Sequence, residues 1–301
     1  VTSNVTPSEL LLVSSFTPNS SGFDVTFSEA FNAALLNLYA TQSLGPADVV
    51  VTGAASGIVN GSLVVDATAG TASFTKTGGL LTADTYTVTL RSGSDGFVTT
   101  DGDLLDGDSN GTGGDNFTTV FTVAPLSQET VTVSIPDFTR GFGQTVNVPA
   151  DGTGIPLTIS RGTGISSLNL RLDYDSSLLN VTGFVPTVTG LLTDFNVATG
   201  ALAVSRSTEF TSNAGPLTLG YFTAAVPDTA LYTSKHLVEI VGLQVFDDTV
   251  STASVPAVPD SAIHVAAFPG DANASRSYNS PDTTLTLRQS TDRIDGLTLY
   301  P

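Results

Sequence analysis

Apolar and polar residues alternate along most of this chain, in runs of five to eleven residues, and turn-forming Gly, Asn, Asp and Pro recur between the runs. In DTYTVTL (84–90), Tyr86, Val88 and Leu90 fall on one face and Thr85, Thr87 and Thr89 on the other, the pattern of a strand with one buried side. FDVTFS (23–28), GSLVVD (61–66), TASFTK (71–76) and TTVFTV (118–123) read the same way. After a break at APLSQET (124–130) the pattern resumes in VTVSI (131–135), TVNVPA (145–150), IPLTIS (155–160), SLNLRLDYD (167–175), GALAVSRS (200–207), PLTLGYFTAAV (216–226) and LVEIVGLQVF (237–246). In SLNLRLDYD, Leu168, Leu170 and Leu172 face one way and Asn169, Arg171 and Asp173 the other. The fold class this predicts is all-β: two tandem β-sandwich domains followed by a short C-terminal loop and helix. The boundaries read as 1–124, 131–265 and 270–301, with STASVPAVPD (251–260) as a Pro/Ala/Ser linker. Helical spacing occurs in SEAFNAALLNLYA (28–40), where Ser28 is a candidate N-cap, and in TTLTLRQSTDRI (283–294).

Composition narrows the function. Ten Lys and Arg stand against 28 Asp and Glu, a formal net charge of −18, so no basic surface exists to neutralise nucleic acid or to dock on anionic lipid. Of the 28 acids only five are Glu and 23 are Asp, the residue of loops and hard-cation sites. The absence of Cys removes disulfides, thiolate metal sites and a Cys nucleophile. No apolar run approaches a membrane span, so membrane insertion is not expected. The chain opens VTSNVTPSEL without Met, which reads as a piece of a longer precursor. Seven N-x-S/T sequons (Asn4, Asn19, Asn60, Asn110, Asn116, Asn180, Asn273) would accept glycans on an exported chain.

The Asp excess is concentrated. Residues 95–115, DGFVTTDGDLLDGDSNGTGGD, hold Asp95, Asp101, Asp103, Asp106, Asp108 and Asp115 with Asn110 and six Gly. Carboxylates this dense repel each other. Ca²⁺ relieves that repulsion by taking six to eight oxygens at about 2.3–2.6 Å, while Gly lets the backbone turn its carbonyls inward. The other reading is a solvated acidic turn. With LLVSSFTPNSSGFDVTFSEAFN, ADVVVTG, TADTYTVTLRSGSDGF and the closing GDLLDGDSNGTGGDNFTTVFTV, the segment from 10 to 123 resembles the immunoglobulin-like domains of repeat-bearing bacterial surface proteins.

The stretch from Gly141 to Phe184 resembles the opening half of a cohesin module. Gly143, Val146 and Val148 match a G-x-x-V-x-V strand, and Tyr174, Asp175, Leu179, Val181, Thr182 and Gly183 match a Y-D-x-x-x-L-x-V-T-G turn. The resemblance covers 131–265 and implies a nine-stranded, jelly-roll-like sandwich that binds a protein partner on one sheet face. In the C-terminal segment an EF-hand-like loop numbered from Asp271 places Asn273, Ser275, Ser277, Asn279 and Asp282 at ligand positions. It resembles one loop of a dockerin, with Ser275 and Arg276 standing where that family has Asp and Gly.

Catalytic constellations are sparse. His236 and His264 have no sequence-adjacent partners, and the carboxylate pairs Asp173/Asp175 and Asp247/Asp248 lack the Trp platforms of a sugar cleft. DGTG (151–154) and RGTG (161–164) read as hairpin turns, not phosphate loops. The expectation is a non-catalytic extracellular, cell-surface protein, structural or adhesive, that binds Ca²⁺ and assembles with a protein partner or with itself head-to-tail, as in a filament. The alternative is a non-catalytic region of a larger secreted enzyme.

Overall fold

The computed structural model describes residues 10–38, 45–149, 152–247 and 254–290. The first eight strands are β1 (Val13–Pro18), β2 (Gly22–Phe27), β3 (Val49–Gly53), β4 (Gly57–Ile58), β5 (Gly61–Asp66), β6 (Thr71–Lys76), β7 (Asp84–Leu90) and β8 (Phe117–Val123). They form two four-stranded sheets, β1-β2-β6-β5 and β4-β3-β7-β8. All pairings are antiparallel. Between the sheets lies an aromatic core. Phe23 stacks on Phe74 at 5.4 Å, and Phe27, Phe31 and Phe97 form a second ring group at 4.9–5.6 Å. Gly22 has no side chain because its neighbour strand is too close: a Cβ there would stand 1.8 Å from the Phe74 carbonyl oxygen.

The second unit holds β9 (Val131–Ser134), β10 (Phe138–Thr139), β11 (Ile155–Ile159), β12 (Ile165–Asp173), β13 (Asn180–Pro186), β14 (Leu192–Asn196), β15 (Ala201–Ser205), β16 (Leu217–Ala225), β17 (Lys235–Asp247), β18 (Ser254–Val255), β19 (Ala257–Asp260) and β20 (Ala262–Val265). One sheet runs β10-β20-β17-β12-β15-β14, with β18 on β17, and the other runs β13-β16-β11-β9-β19. Most pairs are antiparallel, but β9 pairs with β19 and β10 with β20 in parallel. Leu168, Leu170 and Leu172 are buried with Leu202, Val204, Ile240 and Phe222 in an aliphatic core. The architecture is therefore all-β, two sandwiches in series. No helix among the described residues is long and apolar enough to cross a membrane.

Four local expectations change. Residues 28–40 do not form a helix over their described part. Ser28 Oγ accepts the Leu12 amide, Phe31 is buried between Phe27 and Phe97, and Asn32 caps only a 3₁₀ turn, Ala33–Leu35; residues 39 and 40 lie outside the described residues. The segment read as a linker carries β18 and β19. Pro259 is tolerated there because β19 is an edge strand. TVNVPA contributes ladder-like bonds rather than a strand: Val146 donates to Ala224 and Val148 to Gly154. At the C-terminus a helix, α1 (Ser280–Ser290), begins three residues earlier than read, and Ile294 lies outside the described residues.

Candidate metal centre and binding face

The strand pairing of β7 with β8 brings both ends of the Asp-rich stretch together, and Leu105 and Phe97, both fully buried, pin its middle to the core. The segment then winds around Asp106, which is 1% exposed and accepts the amides of Asn110 (3.1 Å) and Gly111 (2.8 Å). Asp108 and Asp115 approach from the solvent side, and the three carboxylates place oxygens within 4.8 Å of one another. Oxygens on opposite sides of one Ca²⁺, at about 2.3–2.6 Å each, stand about 5 Å apart, so this set fits a single ion. Asn110 lies against it but is otherwise engaged: its amide donates to Asp108 (2.9 Å) and its carbonyl accepts from Thr112 (2.8 Å).

The other expected ligands fall elsewhere. Asp95 is engaged by an arginine instead. Its carboxylate takes the Arg91 guanidinium at 2.8 Å, which holds its carboxyl below the usual range, and it stands outside the cluster. Asp101 and Asp103 lie in a separate turn, where Asp103 accepts the Thr99 amide through its backbone and donates its own amide to Thr99 Oγ1. Arg91 was not legible as part of this site. It also reaches Asp48, whose side chain is fully buried, through Nε at 2.7 Å and Nη2 at 2.6 Å. Burial pushes the Asp48 carboxyl up, against the Asn37 amide and the Arg91 charge. One guanidinium thus ties the root of the Asp-rich loop to the strand floor.

The EF-hand-like residues do converge. Asp271 is fully buried and accepts the amides of Ser275 (2.9 Å) and Arg276 (2.6 Å) and the hydroxyl of Tyr232. Desolvation would raise its carboxyl, but the Tyr232 hydroxyl and the two amides outweigh it and hold it low. Asp282 accepts the amides of Asn273 (3.1 Å) and Asn279 (2.7 Å). Arg276 adopts φ +64°, so the sharp turn survives without Gly. The centre of the ring, however, is crossed by amide donors: Asn279 Nδ2 donates to Ser275 Oγ (2.7 Å) and Asn273 Nδ2 to Asn279 Oδ1 (3.1 Å). With two carboxylates and this neutral network, the residues fit a cation less well than the Asp106 set. The loop is anchored to the second sandwich by Tyr232, over whose ring Arg276 lies at 5.5 Å.

The two sandwiches meet along a built junction. Ser21 Oγ donates to Asp260 (3.1 Å), Ser20 Oγ to the Pro259 carbonyl (3.0 Å), and the Gly78 amide to Asp137 (3.2 Å). Beside these bonds, Val64 of β5 packs on Ile263, Val265 and Leu237. The first sandwich therefore covers one end of the outer face of the β14-β15-β12-β17 sheet. The other end is open: Asp194, Ala203, Asn169 and Gln244 form one cross-strand row and Asn196, Ala201, Arg171 and Val241 the next. Leu192 is 70% exposed at its rim. Small side chains in the middle make the face low and accessible.

His236 and His264, 28 residues apart, are buried against each other. The Asp175 amide donates to His236 Nδ1 (3.0 Å), so His236 Nε2 carries the proton and donates to His264 Nδ1 (2.8 Å), and His264 Nε2 points at the Arg140 carbonyl (3.4 Å). Burial pushes the imidazoles down, His236 to about 4 and His264 to about 3. Through these bonds the pair clasps the Tyr174–Asp175 turn to β20.

These elements define an all-β protein of two joined sandwiches with an acidic loop on the first and an open sheet face on the second. No family model and no curated protein matches the chain. Among solved structures it is similar to a non-cellulosomal cohesin from the archaeon Archaeoglobus fulgidus, at 19% identity over 47% of this chain and 94% of that one, TM-score 0.38. It is similar also to a cohesin of Acetivibrio cellulolyticus solved in complex with a dockerin, at 15% identity over 46% and 99%, TM-score 0.36. A third is a type I cohesin–dockerin complex from Clostridium thermocellum, at 17% over 48% and 97%, TM-score 0.35. All three contain cohesins.

Proposed function

We propose that the chain is a non-catalytic extracellular protein, structural or adhesive, of a bacterial cell surface or filament. An immunoglobulin-like first sandwich acts as a spacer, and the cohesin-like second sandwich engages a protein partner. The observation that carries this reading is the open β14-β15-β12-β17 face held beside a bonded junction: a rigid arm presenting a low, uncluttered sheet surface. Its centre is occupied by Ala201 and Ala203, whose short side chains let another backbone approach closely. The partner in this reading is the C-terminal segment of another copy, arranged head-to-tail, which propagates instead of closing. Exposed Tyr278 and Leu287 on that segment supply its apolar contacts.

Sedimentation in calcium and in chelator tests the assembly. Multimers should grow with concentration in calcium, shrink in chelator and lose every species larger than a dimer in Ala203→Arg, which puts a long cation in the middle of the face. A mass that is the same in all three conditions overturns the reading.

Calcium is assigned to Asp106, Asp108 and Asp115. In titration calorimetry of the full chain, Asp108→Asn with Asp115→Asn should weaken the tighter site at least tenfold, since both side chains are exposed and their amides leave the fold intact. Unchanged heats in that double variant would place the ion elsewhere.

A further inference from the structure

Natural sheets protect their edges, because an unpaired strand offers a row of free N–H and C=O groups to any passing chain. The described edge strands of this protein are protected in recognisable ways, with one exception. β1 ends in Pro18 and carries a bulge, and β5 is covered by the second sandwich. β4, β10 and β18 are only two residues long. β13 has a bulge and ends in Pro186, β14 carries Asp194 at its centre, and β19 contains Pro259. β8 has none of these devices. It is seven residues, FTTVFTV, paired with β7 in unbroken register, without charge, Pro or bulge, and no backbone bond reaches its outer edge from other described residues.

From this we infer that β8 is a self-association edge, and that its occupant is β8 of a second copy, paired antiparallel about a two-fold axis at Val120. Three observations select a second copy. First, the solvent-facing residues of β8 read Thr118, Val120, Thr122, a pattern that is the same in both directions. The two-fold therefore sets Val120 opposite Val120 of the second copy and each Thr118 opposite a Thr122. Such Thr–Thr and Val–Val cross-strand pairs are stabilising, and an isologous contact closes at two. Second, the inward positions are compatible: Phe117 meets Val123 and Thr119 meets Phe121, continuing the core edge where Phe16 touches Phe117 and Phe121.

Third, charge favours this approach. A chain of net charge −18 repels its own copies, so two copies meet most easily where neither presents a carboxylate. The face flanking β8 is uncharged for two further strands: Thr85, Thr87 and Thr89 on β7, then Val50 and Thr52 on β3. The pairing turns two four-stranded sheets into one of eight. It uses an edge strand of the first sandwich instead of the open face of the second and is independent of the assembly proposed there.

The absence of Cys makes the test clean. Opposed residues in an antiparallel pair have Cα atoms about 4.5–5.5 Å apart, within the disulfide range of about 4.4–6.8 Å. Val120→Cys should therefore give a disulfide-linked dimer under mild oxidation, whereas Thr87→Cys, one strand inward on the same face, should not. In chelator, the wild-type chain should sediment with a concentration-dependent doubling of mass that Val120→Lys abolishes and Ala203→Arg leaves unchanged. Val120 is 59% exposed, so the lysine does not disturb the core, and an unchanged circular dichroism spectrum checks this. A wild-type chain that stays monomeric, or a dimer indifferent to Val120→Lys with no Val120→Cys cross-link, overturns the assignment.

Discussion

Replacing Arg91 by leucine is expected to destabilise the first sandwich by about 3–5 kcal/mol, the cost of removing one partner from a buried ion pair. The Asp48 side chain is fully buried and receives two bonds from the guanidinium. Without them it keeps, among the described residues, only the Asn37 amide at 2.6 Å, and a carboxylate already pushed up by burial loses its counter-charge. Asp95, 59% exposed, loses its partner as well but is solvated by water at little cost. The double variant Arg91→Leu/Asp48→Leu should recover most of the loss, since it removes the stranded charge together with its partner. Urea unfolding followed by near-ultraviolet dichroism reads the effect. A loss below about 1 kcal/mol in Arg91→Leu would show that the pair carries no such burden.

The second large effect is acid destabilisation through the histidine clasp. Each imidazole is held neutral: its folded value lies below the ordinary 6.5, so the stability it contributes is complete above pH 6.5 and drains away as pH falls toward 4. A proton on His236 Nδ1 would face the Asp175 N–H that it now accepts, and one on His264 Nδ1 would face His236 Nε2–H. For two buried rings the loss by pH 4 is roughly 3–6 kcal/mol. Asp260 works in the opposite direction over the same window. Burial raises its carboxyl to about 6, so its contribution is present at low pH and lost as pH climbs from about 4 to 6. The two effects are separated in an Asp260→Asn background, where stability should fall steadily from pH 6.5 to 4.5. With only two His in the chain, proton spectra give a direct check: no imidazole signal should titrate above pH 5. A histidine titrating near 6.5 would refute the clasp.

What the sequence made legible was strand alternation where one face is buried. Tyr86, Val88 and Leu90 are buried and Thr85 and Thr87 exposed, as their spacing requires, and Leu168, Leu170 and Leu172 alternate with exposed Asn169, Arg171 and Asp173 in the same way. Where tertiary contacts decide, periodicity misleads. Phe31, Leu35 and Leu38 stand at helical intervals, yet the aromatic group around Phe97 claims Phe31 and leaves Leu35 39% exposed. β19 has no local signal because its neighbour, β9, lies well over a hundred residues earlier. Asp density marked the right loop but could not sort its members. Asp106 is distinguished from Asp95 only by which backbone amides and which arginine the fold brings near, and Arg91, one of ten cations and four residues before Asp95, was the available clue. Ser21 and Asp260, 239 residues apart, could not have been paired by any pattern of spacing.

The parallel pairing of β9 with β19 decides how the second sandwich responds to tension. A pull on the preceding sandwich draws β9 toward its N-terminus, and a pull on the following segment draws β19 and β20 toward their C-termini. In parallel neighbours these directions are opposed along the strand axis, so every bond of the ladder is loaded at once instead of one after another. Such a domain resists by shear where an antiparallel terminal pair would unzip, and its lifetime under load is set by an unfolding barrier, not by its equilibrium stability.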